Sequence, residues 1–212
     1  TVPVLRAFSQ QYPDVQVTVL TREFFTPFFR DLPNISVFPI DVKGKHKGFL
    51  GLFKLSRELK KLQFDGVADL HNVLRTKILK LFFLGNKFIQ IDKGRSEKKA
   101  LVSGESFQQL KATHQRYADV FENLGFKIDL SKPTFTQAIK LNSSILSKTG
   151  SHELKWISIA PFATYVSKMY PLDALNNVIE SLSKQHKILL FGGGNQEIEV
   201  LNTLASKWDN VI

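Results

Sequence analysis

Three short segments of this 212-residue chain carry residue types that can do chemistry, and each directly follows a run that reads as a β-strand. In an open parallel sheet the ligand crevice lies outside the carboxyl ends of the strands, so these positions come first. One is Asp69-Leu70-His71-Asn72-Val73-Leu74-Arg75. Asp69 and His71 suit acid–base work or the holding of a sugar hydroxyl, and Arg75 suits an anion. Asp69 and Asn72 equally suit the capping of a turn and a helix. The second segment covers residues 160–171, where Thr164, Tyr165, Ser167 and Lys168 offer hydroxyls and an ammonium to a phosphate, or make an ordinary polar loop. The third is Phe191-Gly192-Gly193-Gly194-Asn195-Gln196-Glu197. Without Cβ atoms its backbone can approach a diphosphate or a ribose closely. Glu197 can receive ribose hydroxyls, or answer the positive end of a helix dipole.

Other chemistries lack their signatures. Cysteine is absent, which removes disulfides, thiolate zinc sites and a cysteine nucleophile. His46, His71, His114, His152 and His186 show no close ligand spacing, so no metal site is expected. No G-x-S-x-G elbow, G-x-G-x-x-G fingerprint or P-loop occurs. Phe24, Phe25, Phe28 and Phe29 are expected to fill a core or an interface rather than to stack bases, because no RNP-like pattern accompanies them.

The elements that must position these residues follow from hydrophobic periodicity. The pattern switches repeatedly between strand-like and helix-like periods, which predicts an α/β fold with a mostly parallel sheet. Strands are expected at 15–20, 35–40, 66–70, 88–91, 156–160 and 188–191. Helices are expected over residues 1–8, with Pro3 in the first turn, and on the stripe Phe49, Leu52, Phe53, Leu55, Leu59 and Leu62. The opposite face of that stripe carries Lys54, Arg57, Lys60 and Lys61 and points outward. Further helices start near Asn72, end at Gly125, follow Pro171 and follow the three glycines. The Ser-, Thr- and Lys-rich stretch 127–153 puts a domain boundary near residue 150, giving domains 1–150 and 151–212, with a further strand starting at Val211.

Hydrophobic residues make up 43% and charged residues 23%, the balance of a globular protein. The net charge is +10, and residues 41–99 supply most of it, with 15 Lys/Arg against 6 Asp/Glu. Such a region attracts nucleic acid, anionic lipid head groups or phosphorylated glycolipids, and a basic α/β module that binds nucleic acid or a partner protein is the alternative to an enzyme. No apolar run approaches the roughly 20 residues that span a bilayer.

Taken in order, Val2-Pro3-Val4-Leu5-Arg6-Ala7, Tyr12-Pro13, Phe64-Asp65-Gly66-Val67-Ala68-Asp69-Leu70-His71, Ala160-Pro161-Phe162-Ala163, Lys168-Met169-Tyr170-Pro171 and Leu190-Phe191-Gly192-Gly193-Gly194 resemble glycosyltransferase family 9, the lipopolysaccharide heptosyltransferases. The resemblance implies a GT-B architecture of two Rossmann-like domains facing each other across a cleft. It also implies inverting, metal-independent transfer of a heptose from an ADP-sugar to a lipopolysaccharide-core glycolipid. No cofactor beyond that donor is implied. Thr164, Lys168, Gly192, Gly193, Gly194 and Glu197 fall at the donor side, with Lys168 where the family binds the diphosphate. Asp69, His71 and Arg75 are acceptor-side candidates. The family's catalytic aspartate, in a Gly-Asp loop ahead of the first helix, is expected outside these residues, so this stretch alone is expected to be inactive. The resemblance further implies a cytoplasmic protein peripheral to the inner membrane of a Gram-negative bacterium, with Lys54, Lys60 and Lys61 toward the anionic surface and no nucleic-acid partner.

Overall fold

The computed structural model describes residues 1–135, 140–150 and 154–212. They fall into two compact units, Thr1–Gln137 and Ala138–Ile212.

The first unit begins with α1 (Val2–Gln11), whose Val4, Leu5, Phe8 and Ser9 face inward at helical spacing. Two parallel strand pairs follow. β1 (Val17–Thr21) pairs with β2 (Ile35–Pro39), from Val17 opposite Ile35 to Thr21 opposite Pro39. β3 (Gly66–Asp69) pairs with β4 (Lys87–Gln90), from Gly66 opposite Lys87 to Asp69 opposite Gln90. The crossovers are α2 (Gly48–Lys60) and α3 (Leu74–Phe82), with a 3-10 helix at Glu23–Phe29 between β1 and β2. α4 (Arg95–Ser103) and α5 (Thr113–Leu124) complete the unit, and Gly125 ends α5 in the left-handed conformation.

The pleat sorts the apolar side chains onto two faces. Val17, Val19, Ile35 and Val37 pack with Val4, Leu5, Phe8, Ala118 and Phe121 of α1 and α5. Leu20, Phe38 and Ile40 pack with Leu52, Leu55, Leu59, Leu79 and Phe83 of α2, α3 and the residue after α3. Helices therefore cover both faces, as a doubly wound sheet requires. Ala68 and Leu70 join the first cluster too, although β1 and β3 share no hydrogen-bonded register among the described residues.

In the second unit, α6 (Ser143–Thr149) precedes β5 (Lys155–Ile159), α7 (Leu172–Ser183), β6 (His186–Leu190) and α8 (Asn195–Ala205). β5 and β6 are parallel, and Val211 bridges to Ile188 in the same sense where a further strand was expected to start. Leu175, Ile179, Ile188, Leu204 and Val211 form the core.

Each of the six expected strands appears within two residues of its expected bounds at either end. Two helices were not foreseen. α4 buries no residue, so it offers no apolar stripe to read; left-handed Gly94 and Gly104 bound it. α6 lies in the stretch read as a linker, started by the Asn142 side chain accepting from the Ile145 N–H. It falls with the second compact unit, whereas the sequence reading set the boundary near residue 150. The stripe on α2 is also narrower than expected, because Phe49, Phe53 and Leu62 remain exposed. Of the four clustered phenylalanines, Phe29 is buried while Phe24 and Phe28 stand in solvent.

Candidate functional site

The carboxyl ends of β5 and β6 meet: the Phe191 N–H donates to the Ile159 carbonyl at 2.9 Å, which carries the parallel register one step beyond β6. Both downstream loops therefore leave the same sheet edge. They touch at Phe162 and Gly192. A Cβ built on Gly192 would lie 3.3 Å from the Phe162 ring and 2.8 Å from Leu201 Cδ1, so glycine permits this approach.

In the first of these loops Pro161 is buried and residues 163–168 are exposed. A single 3-10 turn, Val166–Lys168, is closed by the Lys168 N–H donating to the Tyr165 carbonyl at 2.9 Å. The Lys168 ammonium stands 5.3 Å from the centre of the Tyr165 ring. Thr164 is exposed beside it in sequence. In the second loop the Gly193 N–H donates to Glu197 Oε2 at 2.8 Å, and Gly194 takes φ +86° to turn the chain into α8. Glu197 thus secures the glycine bend with one carboxylate oxygen. The first-turn N–H groups of α8 form the positive end of an 11-residue helix.

In the first unit the β3 end is a tightly bonded turn. Buried Asp69 accepts from the His71 and Asn72 N–H groups through Oδ1, at 3.0 and 2.8 Å, and from Gln90 Nε2 through Oδ2 at 2.9 Å. Burial pushes the Asp69 carboxyl up, but the bonds from Gln90, Asn72, Thr76 and His71 outweigh it and hold it below its ordinary value. Asn72 sits at φ 41° and donates to the Ile91 carbonyl at 2.9 Å. Of the two readings left open for Asp69, the hydrogen bonds describe the capping one. His71 and Arg75 project into solvent from this frame.

Sequence reading missed the neighbouring cleft. About 240 Å³ of space is lined by Asn72, Lys77, Ile91, Asp92, Lys93, Arg95 and Ser96. Lys77, Lys93 and Arg95 have no ion-pair partner among the described residues. Asp92 Oδ1 accepts from the Gly94 N–H at 2.8 Å, and Gly94 takes φ +60°. The buried Arg116 guanidinium packs on Gly94, where a Cβ would come within 2.4 Å of it, and bonds Glu97 of α4 at 2.5 Å. Glu97 and the nearby Asp92 and Asp119 raise the Arg116 pKa against the cost of burial. The signal for this cleft was Asp92-Lys93-Gly94-Arg95-Ser96, a polar and glycine stretch directly after β4, the same position that selected the other three segments.

The loop after β2 is also organised. Asp41 accepts from the N–H groups of Lys43, Gly44 and Lys45, which hold its carboxyl below the usual range. Buried His46 accepts the Asp41 N–H at Nδ1, so its Nε2–H faces Glu58 at 3.2 Å. Among the described residues no group of three His, Asp or Glu is close enough to hold a metal ion. His152 lies outside the described residues.

Residues 52–212 match the family model of glycosyltransferase family 9 (heptosyltransferase). A lipopolysaccharide core heptosyltransferase, OpsX of Haemophilus influenzae, is 31% identical over 78 residues, which is 37% of this chain and 22% of that protein. The crystal structure of a family 9 glycosyl transferase from Veillonella parvula superposes with TM-score 0.74 at 18% identity, over 99% of this chain and 63% of that one. The E. coli heptosyltransferase WaaC solved with ADP gives TM-score 0.66 at 15% identity, over 99% of this chain and 68% of that one. The chain therefore spans under a quarter of the OpsX relative and about two thirds of each of these solved chains. It shares their GT-B-like α/β fold.

Proposed function

Since the chain belongs to glycosyltransferase family 9, we propose that its second unit takes a nucleotide sugar and its first unit takes the acceptor, a phosphorylated glycolipid of the lipopolysaccharide core. The observation that carries this reading is the meeting of the two loops after β5 and β6 at Phe162 and Gly192, which puts the Lys168 loop and the glycine bend on one sheet edge. The donor is an ADP-sugar, in the first instance ADP-heptose; the OpsX name and the ADP bound to WaaC support that choice.

Transfer by this route inverts the anomeric carbon and needs no metal. As the glycosidic bond to the diphosphate breaks, negative charge grows on the departing oxygen, and a positioned ammonium stabilises it more in the transition state than in the ground state. Lys168 supplies that charge. Thr164 and the first-turn N–H groups of α8 hold the diphosphate, while Glu197 keeps the bend between them in shape. On the acceptor side Lys77, Lys93 and Arg95, with Arg75 nearby in sequence, offer cations to phosphate groups, and His71 offers a ring N–H. Asp69 positions that turn and takes no proton. The setting is the cytoplasmic face of a Gram-negative inner membrane.

Gly193 gives the direct test of the donor side. Its φ is not positive and nothing lies within 4 Å of an added Cβ, so the fold accepts alanine there, unlike at Gly192 or Gly194. Gly193→Ala is expected to leave Tm unchanged and to weaken ADP binding about tenfold, roughly 1.4 kcal/mol, by titration calorimetry. Equal ADP affinity in the two proteins would remove the glycine bend from the donor site. Tight, salt-dependent oligonucleotide binding without any response to ADP would instead favour the basic-module reading.

A further inference from the structure

We infer that Arg116 is a positioning residue for the acceptor cleft: from the start of α5 it holds the 92–96 turn and the first turn of α4, and so sets where Lys93 and Arg95 meet the phosphate groups of an acceptor. The need for such a holder comes from α4 itself. That helix buries no side chain and lies between left-handed Gly94 and Gly104, with no side-chain cap on its first N–H groups, so neither a core nor a cap fixes its place. Among the described residues, one side-chain hydrogen bond joins α4 to another element, from Arg116 Nη2 to Glu97 Oε2 at 2.5 Å.

Arg116 is only 5% exposed, a burial that a cation tolerates when its donors are met. Besides the bond to Glu97, its Nε donates to the Lys111 carbonyl at 3.2 Å. Lys111 is tied in turn to Asp119 of α5 at 2.7 Å, so both ends of this anchor stand on the same helix. The guanidinium lies flush against Gly94, where an added Cβ would come within 2.4 Å of Nη2 and 2.5 Å of Cζ. Glycine is therefore required there twice, for its φ of +60° and for this contact. Lys93 and Arg95 flank Gly94 directly and line the cleft together with Lys77 of α3. Two of the three cations thus take their place from Arg116, and the third does not. Loss of Arg116 should free the turn rather than unfold the unit. Glu97 is 47% exposed and returns to water, and a methionine of similar length keeps the packing on Gly94.

This inference rests on the acceptor reading proposed above, and its test keeps the two apart. In Arg116→Met, amide hydrogen exchange over residues 92–111 is expected to quicken at least tenfold, while α1, α2, β1 and β2 exchange as in the wild type. The binding probes are a lipid-free oligosaccharide of the lipopolysaccharide core, intact and after phosphatase treatment, titrated without any donor. Wild type is expected to prefer the phosphorylated form, and Arg116→Met to bind it about five- to tenfold more weakly while binding the phosphatase-treated form equally well. Arg116→Lys, which keeps a cation but cannot serve Glu97 and the Lys111 carbonyl together, is expected to fall between the two. In the intact enzyme the same loss should appear as a raised acceptor KM, with kcat within about twofold. Unchanged exchange over residues 92–98 in Arg116→Met, or an equal loss of affinity for both oligosaccharides, overturns the proposal. A wild type that binds ADP yet ignores the phosphate groups also overturns it and spares the donor assignment. Phosphate preference that depends on Arg116 in a protein without ADP binding leaves the proposal standing and defeats the transferase reading.

Discussion

Lys168→Ala in the intact protein is expected to lower kcat for sugar transfer by about 10²–10³-fold, the usual consequence of removing one positioned donor from a developing anion. The same change is expected to leave the fold almost untouched. Lys168 is exposed, and its ammonium has one described side-chain contact, the Tyr165 ring at 5.3 Å. A cation–π pair at an exposed site is worth about 0.5–1 kcal/mol, and surface substitutions of this kind usually fall near that scale or below it. Activity and stability should therefore separate. If Lys168 acts on the leaving diphosphate, the loss appears in kcat at saturating donor, and Lys168→Arg, which keeps the charge, recovers part of it. If it merely helps to bind ADP in the ground state, KM rises while kcat holds. Wild-type turnover by Lys168→Ala at saturating donor removes the residue from the chemistry altogether.

How far such residues were legible depended on whether their element announces itself. Strands with alternating apolar residues, such as Val17 and Val19 of β1, are visible because the sheet buries them against helices on both sides. Their ends are then visible as well, which is how Asp69, Lys168 and Gly193 came into view. α4 has no such signature. Its apolar residues Ala100, Leu101 and Val102 are consecutive and make no stripe, and it is held by two left-handed glycines and by Arg116, a residue 19 positions from its Glu97 partner. Local pattern cannot report an ion pair at that separation, so the strand-to-helix junction at 92–96, and with it Lys93 and Arg95, went unnoticed. The outer faces of α2 and α3 failed in another way. An apolar residue at helical spacing reads as core, and Phe49 and Phe53 lie on the same stripe as Leu52 while remaining in solvent. The Glu197 bond to the Gly193 N–H was equally hidden, since a carboxylate in a first turn satisfies the helix dipole whether or not it reaches back.

Asp69 separates the positioning account from a catalytic one most sharply. Removing its carboxylate with Asp69→Ala leaves the N–H groups of His71 and Asn72 and the Gln90 amide without their acceptor in a half-buried turn. At about 1 kcal/mol for each half-buried donor left unmet, with some recovered by water, the expected cost is roughly 2–3 kcal/mol. Asp69→Asn keeps one oxygen for the two backbone donors, and a rotated Gln90 can receive the new amide, so it should cost less than half as much. Because the folded carboxyl lies below its ordinary 3.8, the wild type holds this contribution above that pH and loses it as pH falls through the lower folded value. Asp69→Asn should therefore show a shallower loss of stability below about pH 4. Both tryptophans, Trp156 and Trp208, lie in the second unit, so urea unfolding followed by tryptophan fluorescence should be indifferent to these changes while the far-UV circular dichroism transition of the first unit moves. Transfer activity gives the decisive contrast. A positioning Asp69 allows Asp69→Asn to keep most of the wild-type kcat, whereas a stable Asp69→Asn protein with activity lost by a factor of 10³ or more would make Asp69 a proton acceptor, and the hydrogen bonds that now occupy it would have to open during turnover.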